Sequence, residues 1–219
     1  MNILELFSGT KSFSKVAEER GHNVFTIDIN SKANPDLVKD IMDLEIKDIP
    51  FKPDIIWASP PCTEYSHAKR TGIRKIEEAN KIVIKTKEII EQLNPKIWFI
   101  ENPQTGLLKN QPILNKFPEY QLDYKDISYC KYGKPYRKQT RIWTNLSRWK
   151  PRPICNKDCK FMTKDKKRHL HNIGNARKKY TEKTYKLEEK YEIPSELCLE
   201  IIKCCEGVNP QSNETEVEK

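Results

Sequence analysis

A doubly wound α/β domain is the fold this sequence predicts, and three observations predict it. Short apolar runs alternate with helix-length amphipathic stretches through the first hundred residues. Each run ends in small, polar or proline residues. The residues best suited to binding or chemistry stand just past those runs. Strands separated by helices imply a parallel sheet with a helical layer on each face. Such sheets gather their ligands at the carboxyl ends of the strands.

In chain order, Asn2–Phe7 is the first apolar strand and Ser8–Thr10 the small-residue turn behind it. Ser12–Arg20 reads as a helix capped by Ser12 and ended by Gly21. Asn23–Asp28 is a second strand that closes on an acid, and a third short element carries Asp40 and Ile41. Asp54–Ala58 runs into Ser59-Pro60-Pro61-Cys62. Arg74–Leu93 spaces Ile76, Ala79, Val83, Ile90 and Leu93 at helical intervals without glycine or proline. Lys96–Ile100 is the next strand and opens on Glu101. From about Ser147 to Lys179 the periodicity fails, and Pro194–Cys205 reads as a last helix. The expected units are a core over 1–146, a small irregular basic insertion over 147–171, a segment returning to the core over 172–206, and a polar, acidic, disordered tail over 207–219.

Hydrophobic residues make up 37% of the 219 and charged residues 32%, so a core can form, and no run approaches the length of a membrane span. Asn2–Phe7 is too short for a signal peptide and has no basic leader. The expectation is an intracellular protein with no membrane partner, presumed monomeric. In a reducing compartment the seven cysteines are core residues, metal ligands or nucleophiles rather than disulfides. Charge is uneven: residues 1–130 carry 18 Lys+Arg against 19 Asp+Glu, residues 131–190 carry 20 against 5, and residues 191–219 carry 2 against 7. A basic block on a neutral body reads as a nucleic-acid-facing segment, against the blander reading of a solvated lysine-rich surface.

Two strand ends carry the chemistry. At the first, Gly9 permits close backbone approach, the helix amino terminus favours a carboxylate, and Asp28 one strand over is placed to take a ribose diol. At the second, two prolines stiffen the loop before Cys62 and remove backbone donors. Cys62 is either an inert buried thiol or a nucleophile, with His67, Lys69 and Arg70 near enough in sequence to lower its pKa. Glu101 at the next strand end favours the nucleophile. Carbon 5 of cytosine becomes reactive only if a thiolate adds at carbon 6 while an acid serves N3, and a desolvated glutamic acid can do that.

Phe7-Ser8-Gly9, Asp28, Asp40-Ile41, Pro60-Pro61-Cys62, Glu101-Asn102 and Gln139-Thr140-Arg141, then Ile173-Gly174-Asn175-Ala176 and Ile193-Pro194-Ser195-Glu196-Leu197, occur in the order and approximate spacing of the cytosine-C5 DNA methyltransferase family. The chain resembles its short, phage- or virus-type branch over roughly residues 1–146 and 172–203. The resemblance implies a Rossmann-like fold of the S-adenosylmethionine-dependent methyltransferase type and methylation of cytosine in DNA. The same chemistry on RNA, or an inactive nucleic-acid-binding relative, stands as the alternative. It assigns Phe7 to the adenine of S-adenosylmethionine, Gly9 to the amino-acid portion, Asp28 to the ribose and Ile29 to the adenine side. Asp40 would accept from the adenine amino group, flanked by Ile41, and Asn175 would reach the carboxylate. Cys62 would attack carbon 6, Glu101 would contact N3, and Arg141 would fix the base and the catalytic loop. Two positions depart from the family: Lys11 replaces a second glycine, and Trp143 stands where a second arginine is usual. Arg137 and Lys138 are the cations available to replace that arginine.

Larger relatives hold a target-recognition domain where this chain has only 27 residues, Asn145 to His171. That is room for phosphate contacts but not for elaborate base readout. Within it, Cys155, Cys159, His169 and His171 have zinc-ligand chemistry, and a metal would order so polar a segment. The alternative is two ordinary thiols and two phosphate-facing histidines.

Overall fold

Seven strands form one sheet in the order β3-β2-β1-β4-β5-β7-β6, seen in a computed structural model that describes residues 1–114, 123–173 and 185–207. The strands are β1 (Asn2–Leu6), β2 (Asn23–Asp28), β3 (Leu37–Val38), β4 (Ile55–Ala58), β5 (Ile97–Pro103), β6 (Asp123–Ser128) and β7 (Gln139–Thr144). The first five pair in parallel, as the alternation of strand and helix requires. The last two correct the expectation of a parallel sheet: β7 lies antiparallel between β5 and β6. The chain passes β5, makes the edge strand first and returns inward, so no crossover helix is needed there.

Alternation along the strands sorts side chains to two faces. Ile3, Trp57, Phe99 and Ile142 face α1 (Ser12–Glu19) and α4 (Ser195–Cys205), while Leu4, Ile56, Trp98 and Trp143 face α2 (Ile76–Leu93). A short helix, α3 (Leu187–Tyr191), precedes α4. Among the described residues no helix is long and apolar enough to cross a membrane. Trp149, at the start of the irregular stretch, is fully buried, its ring edge-on to Phe99 and its Nε1 donating to Glu200 Oε1. The basic stretch is therefore anchored in the main core.

The first helix begins differently from expectation. Its cap is Lys11, at φ 54°, with no side-chain cap. Ser12 is spent elsewhere: its hydroxyl bonds Thr10 and accepts from the Ile193 backbone N–H across the molecule. Two further ties join this corner to the chain after α4, where Glu206 accepts from Arg20 and pairs with His22.

Candidate active site

Strand order reverses between β1 and β4. From β1 the chain builds outward through β2 and β3, then continues on the other side with β4 and β5. At such a switch point the carboxyl ends of neighbouring strands diverge and leave a crevice. A cavity of about 350 Å³ lies there, within the roughly 300–1,000 Å³ of small-molecule sites.

One wall is made of the turns after β1 and β2. Phe7 and Gly9 both have positive φ, 58° and 45°. The turn uses glycine for conformation rather than for space, because an added Cβ would come no nearer than 3.8 Å to the Phe7 carbonyl. Asp28 holds the turn in place, accepting from the Gly9 N–H at 2.8 Å and the Asn30 N–H at 2.7 Å. Its carboxylate keeps about two of its roughly four acceptor positions for a ligand. Ile29 lines the cavity and is 65% exposed, an apolar surface beside that carboxylate. Ser8 Oγ and Asn102 Oδ1, on residues lining the cavity, are buried with no hydrogen-bond partner among the described residues, which is unusual unless a ligand or water serves them.

The other wall is made of the ends of β4 and β5. Asn102 donates to the Pro60 carbonyl at 2.9 Å and ties the Pro-Pro-Cys loop to the next strand. Glu101 is 7% exposed, and among the described residues only the Tyr129 hydroxyl donates to it, at 3.3 Å. Burial raises its pKa, against the nearby Lys138 ammonium. Burial also pushes the Cys62 thiol up, the negative charge of Glu101 adds to the rise, and Lys138 opposes it. The expected activators are placed elsewhere: Lys69 pairs with Glu64 at 2.6 Å, and His67 and Arg70 are exposed. Lys138 is the cation that acts on both groups. Its Nζ donates to the Lys190 carbonyl at 3.0 Å and lies 4.8 Å from the Tyr129 ring centroid.

Not every expected residue is gathered here. Arg141 pairs in register with Asn102 while Glu101 pairs with Ile142, so Arg141 lies on the opposite face from Glu101. Asp126 binds its guanidinium at 2.7 and 2.8 Å and the Tyr124 ring stacks on it at 3.7 Å, so it does not line the cavity. Asp40 caps a single turn by accepting from the Met42 N–H, and Ile41 is buried in the core beneath α2; neither lines the cavity. Asn175 lies outside the described residues.

Three contributors went unread in the sequence. Glu5 is buried beside the cavity and pushed up to about 7 by burial, although Ser14 donates to it from both its N–H and its hydroxyl. An acid inside the apolar run of β1 was its available signal. Tyr191, the last residue of α3, and Ile193, which opens the Ile193–Leu197 motif, close the cavity ahead of α4, and no local signal places them there. Beside the cavity a second, more open cleft of about 310 Å³ is lined by Arg137, Lys138, Gln139 and Lys190 among others.

The proposed metal ligands divide. Cys155, Cys159 and His169 do come together, but their fourth neighbour is Cys130, with all four ligand atoms within 4.8 Å of one another. His171 is drawn away: its Nδ1 is hydrogen-bonded to the Tyr185 hydroxyl and its backbone N–H donates to the Pro135 carbonyl.

Comparison with known proteins follows this geometry. Residues 1–203 match the family model described as C-5 cytosine-specific DNA methylase. A Frog virus 3 protein named "Probable DNA (cytosine-5)-methyltransferase" is 32% identical, the alignment covering 94% of this chain and 100% of that one. Among solved structures, the Entamoeba histolytica methyltransferase EhMeth superposes with a TM-score of 0.54 at 23% identity, over 69% of this chain and 55% of the other. The Schizosaccharomyces pombe Dnmt2 methyltransferase gives 0.51 at 20% identity, over 76% and 58%. The chain thus spans little more than half the length of those two structures and shares their fold.

Proposed function

The chain belongs to the C-5 cytosine-specific DNA methylase family and is a DNA cytosine-5-methyltransferase; from that premise we propose that it uses S-adenosylmethionine and a covalent adduct between Cys62 and carbon 6 of the target base. One observation carries the reading: Phe7, Gly9 and Asp28 share a single cavity with Cys62 and Glu101. A donor and an acceptor bound there would meet.

The residues present fit the cofactor. Asp28 has acceptor capacity left for a ribose diol, Phe7 and Ile29 offer apolar surface for a purine, and the unpartnered Ser8 hydroxyl needs a polar ligand atom. S-adenosylmethionine, when bound, supplies the electrophilic methyl group. The chain's own residues do the rest. The target cytosine must leave the stack, since neither Cys62 nor the methyl donor reaches carbon 5 inside a duplex. The Cys62 thiolate forms a bond to carbon 6 while Glu101 gives its proton to N3, so the displaced electrons collect at carbon 5. Once carbon 5 has taken the methyl group, its proton passes to water, the carbon–sulfur bond breaks with Cys62 leaving as thiolate, and N3 returns its proton to Glu101. Lys138 offsets the repulsion between that thiolate and Glu101. The Asn102–Pro60 hydrogen bond keeps the two reacting side chains at a fixed spacing. The cleft with Arg137, Lys138 and Lys190 would take up phosphates beside the flipped base.

The test is transfer of labelled methyl from S-adenosylmethionine to DNA and, separately, to RNA, with the product nucleoside identified. The expected product is 5-methyldeoxycytidine. DNA containing 5-fluorocytosine should trap the protein covalently, because fluorine cannot leave as the proton does, and Cys62→Ser should abolish the adduct. Methylation of an exocyclic amine, exclusive transfer to RNA, or an adduct surviving in Cys62→Ser would overturn the assignment.

A further inference from the structure

The region that the methyl-transfer reading leaves unused holds three thiols and an imidazole in one place. Cys130 sits in a single turn (Tyr129–Tyr132) directly after β6. Cys155 and Cys159 flank a tight turn in which Lys157 takes φ 65°, and the Cys155 N–H donates to Ser128 Oγ at 3.2 Å. His169 comes from a hairpin-like bend, opposite Met162, closed by Thr163 N–H to Arg168 O and Leu170 N–H to Phe161 O, both 2.8 Å. Three separate stretches of chain therefore converge on four ligand atoms within 4.8 Å of one another.

Those distances approach a metal's demands. With Zn–S near 2.3 Å and Zn–N near 2.0–2.1 Å, a tetrahedral site has sulfur–sulfur edges of about 3.8 Å and sulfur–nitrogen edges of about 3.6 Å. Cys155 Sγ and His169 Nε2 are 3.4 Å apart. Disulfide formation accounts for the cluster less well, because three thiols leave one over and the imidazole has no part in it. Hydrophobic packing accounts for it no better: of the four, only Cys130 and Cys155 are buried, and the segment around Cys159 and His169 has no regular element beyond isolated bridges. Three thiolates and one imidazole complete a tetrahedron and leave no open coordination position, which is the pattern of a structural rather than a catalytic zinc.

We propose that Cys130, Cys155, Cys159 and His169 bind one zinc ion, which fastens the basic stretch between Cys155 and His169 to the end of β6. Metal binding here does folding work: it orders a loop whose own contacts are mainly polar. Lys131, next to Cys130, already reaches across to Asp158 at 2.6 Å, so the metal strengthens a junction that also has an ionic tie. The lysines of that stretch, Lys160, Lys164, Lys166 and Lys167, would then meet a polyanion as a fixed surface rather than as a loose chain. The proposal does not depend on methyl transfer.

Elemental analysis of the full chain, purified without added metal, should find one zinc per molecule. Cys159→Ser and His169→Ala, both at half-buried positions, should lose most of that zinc, and His171→Ala should keep it. Cobalt(II) in place of zinc should give the strong visible and thiolate charge-transfer absorption of a tetrahedral sulfur-rich site. Zinc removal by a tight chelator should expose the stretch between Lys157 and Arg168 to trypsin while binding of S-adenosylhomocysteine persists. Purified protein without zinc would overturn the proposal, as would loss of metal from His171→Ala equal to that from His169→Ala. Should Cys130→Ser fail to fold, the wild-type stoichiometry and the two histidine variants still decide.

Discussion

The two walls of the cavity each present a carboxylate at a strand end, and the two are held in opposite ways. Asp28 closes β2 with two backbone N–H donors at 2.7 and 2.8 Å. Glu101 lies within β5, buried, with a single tyrosine hydroxyl at 3.3 Å. The first is an acceptor oriented by the main chain, suited to holding a hydroxyl pair without reacting. The second is short of partners in a low-dielectric setting, which favours its neutral form and suits it to handing over a proton. Residue type alone would not separate these roles. The number of donors around each group does.

The largest effect that could break this contrast is expected at Glu101. Glu101→Gln should slow methyl transfer by about 10²–10⁴-fold, the usual range for losing a positioned acid, and leave S-adenosylhomocysteine affinity nearly unchanged. When Glu101 is ionised its charge holds the Cys62 thiol up, and the same substitution removes that charge. The pH profile for alkylation of Cys62 should therefore move to lower pH even as catalysis falls. A profile that stays in place, or moves up, would mean that Glu101 does not act on Cys62 electrostatically.

On the opposite wall, Asp28→Ala should weaken cofactor binding by roughly 1.5–3 kcal/mol, the scale of hydrogen bonds to a charged group. It should act on KM for the cofactor more than on kcat. Because Asp28 also holds the Gly9 N–H, Asp28→Asn should recover part of the loss by keeping one acceptor. Calorimetry showing equal affinity in wild type and Asp28→Ala would erase the distinction between the walls.

The smallest expected effect sharpens the same wall. Lys11 occupies a left-handed conformation at φ 54°, which costs a non-glycine residue roughly 1–2 kcal/mol. Lys11→Gly relieves that cost and loses about 0.5–1 kcal/mol to the freedom of glycine in the unfolded chain. Thermal denaturation should show a rise of about 1–3 °C, since 1 kcal/mol is worth roughly 2–4 °C at this size. A fall would mean that the lysine side chain stabilises the turn in another way.

The strand ends were legible because β1, β2, β4 and β5 are short apolar runs stopped by polar or proline residues, and the switch-point rule makes the residues after them neighbours. Phe7, Gly9, Asp28, Cys62 and Glu101 followed from that. The direction of β7 was not legible. A strand buried on both faces looks the same in either direction, and in the sequence this stretch stands out only through the motif Gln139-Thr140-Arg141. Its register with β5, equally hidden in the sequence, decides which face Arg141 occupies. Lys138 is legible only as a cation beside the Gln139-Thr140-Arg141 motif, and Tyr191 reaches the site from α3 with no spacing to announce it. Cys130 is 25 positions before Cys155, so only the hairpin of β6 and β7 brings it to the other three ligands.

The clasp between α1 and α4 has a consequence for how the protein is made. One face of the sheet, with Ile3 and Trp57, is shared between α1, whose Phe13 stacks on Trp57, and the much later α4, and Ile193 both reaches back to Ser12, some 180 positions earlier, and lines the cavity. On the ribosome, at roughly 5–20 residues per second, that face emerges at once and waits about ten seconds or more for α4. During that wait the nascent chain carries a sheet face covered by α1 alone and an unfinished binding site. Contacts this distant in sequence also slow folding once synthesis is complete. Cofactor binding should therefore be a late event in the life of each molecule, available only after residue 205 has been added.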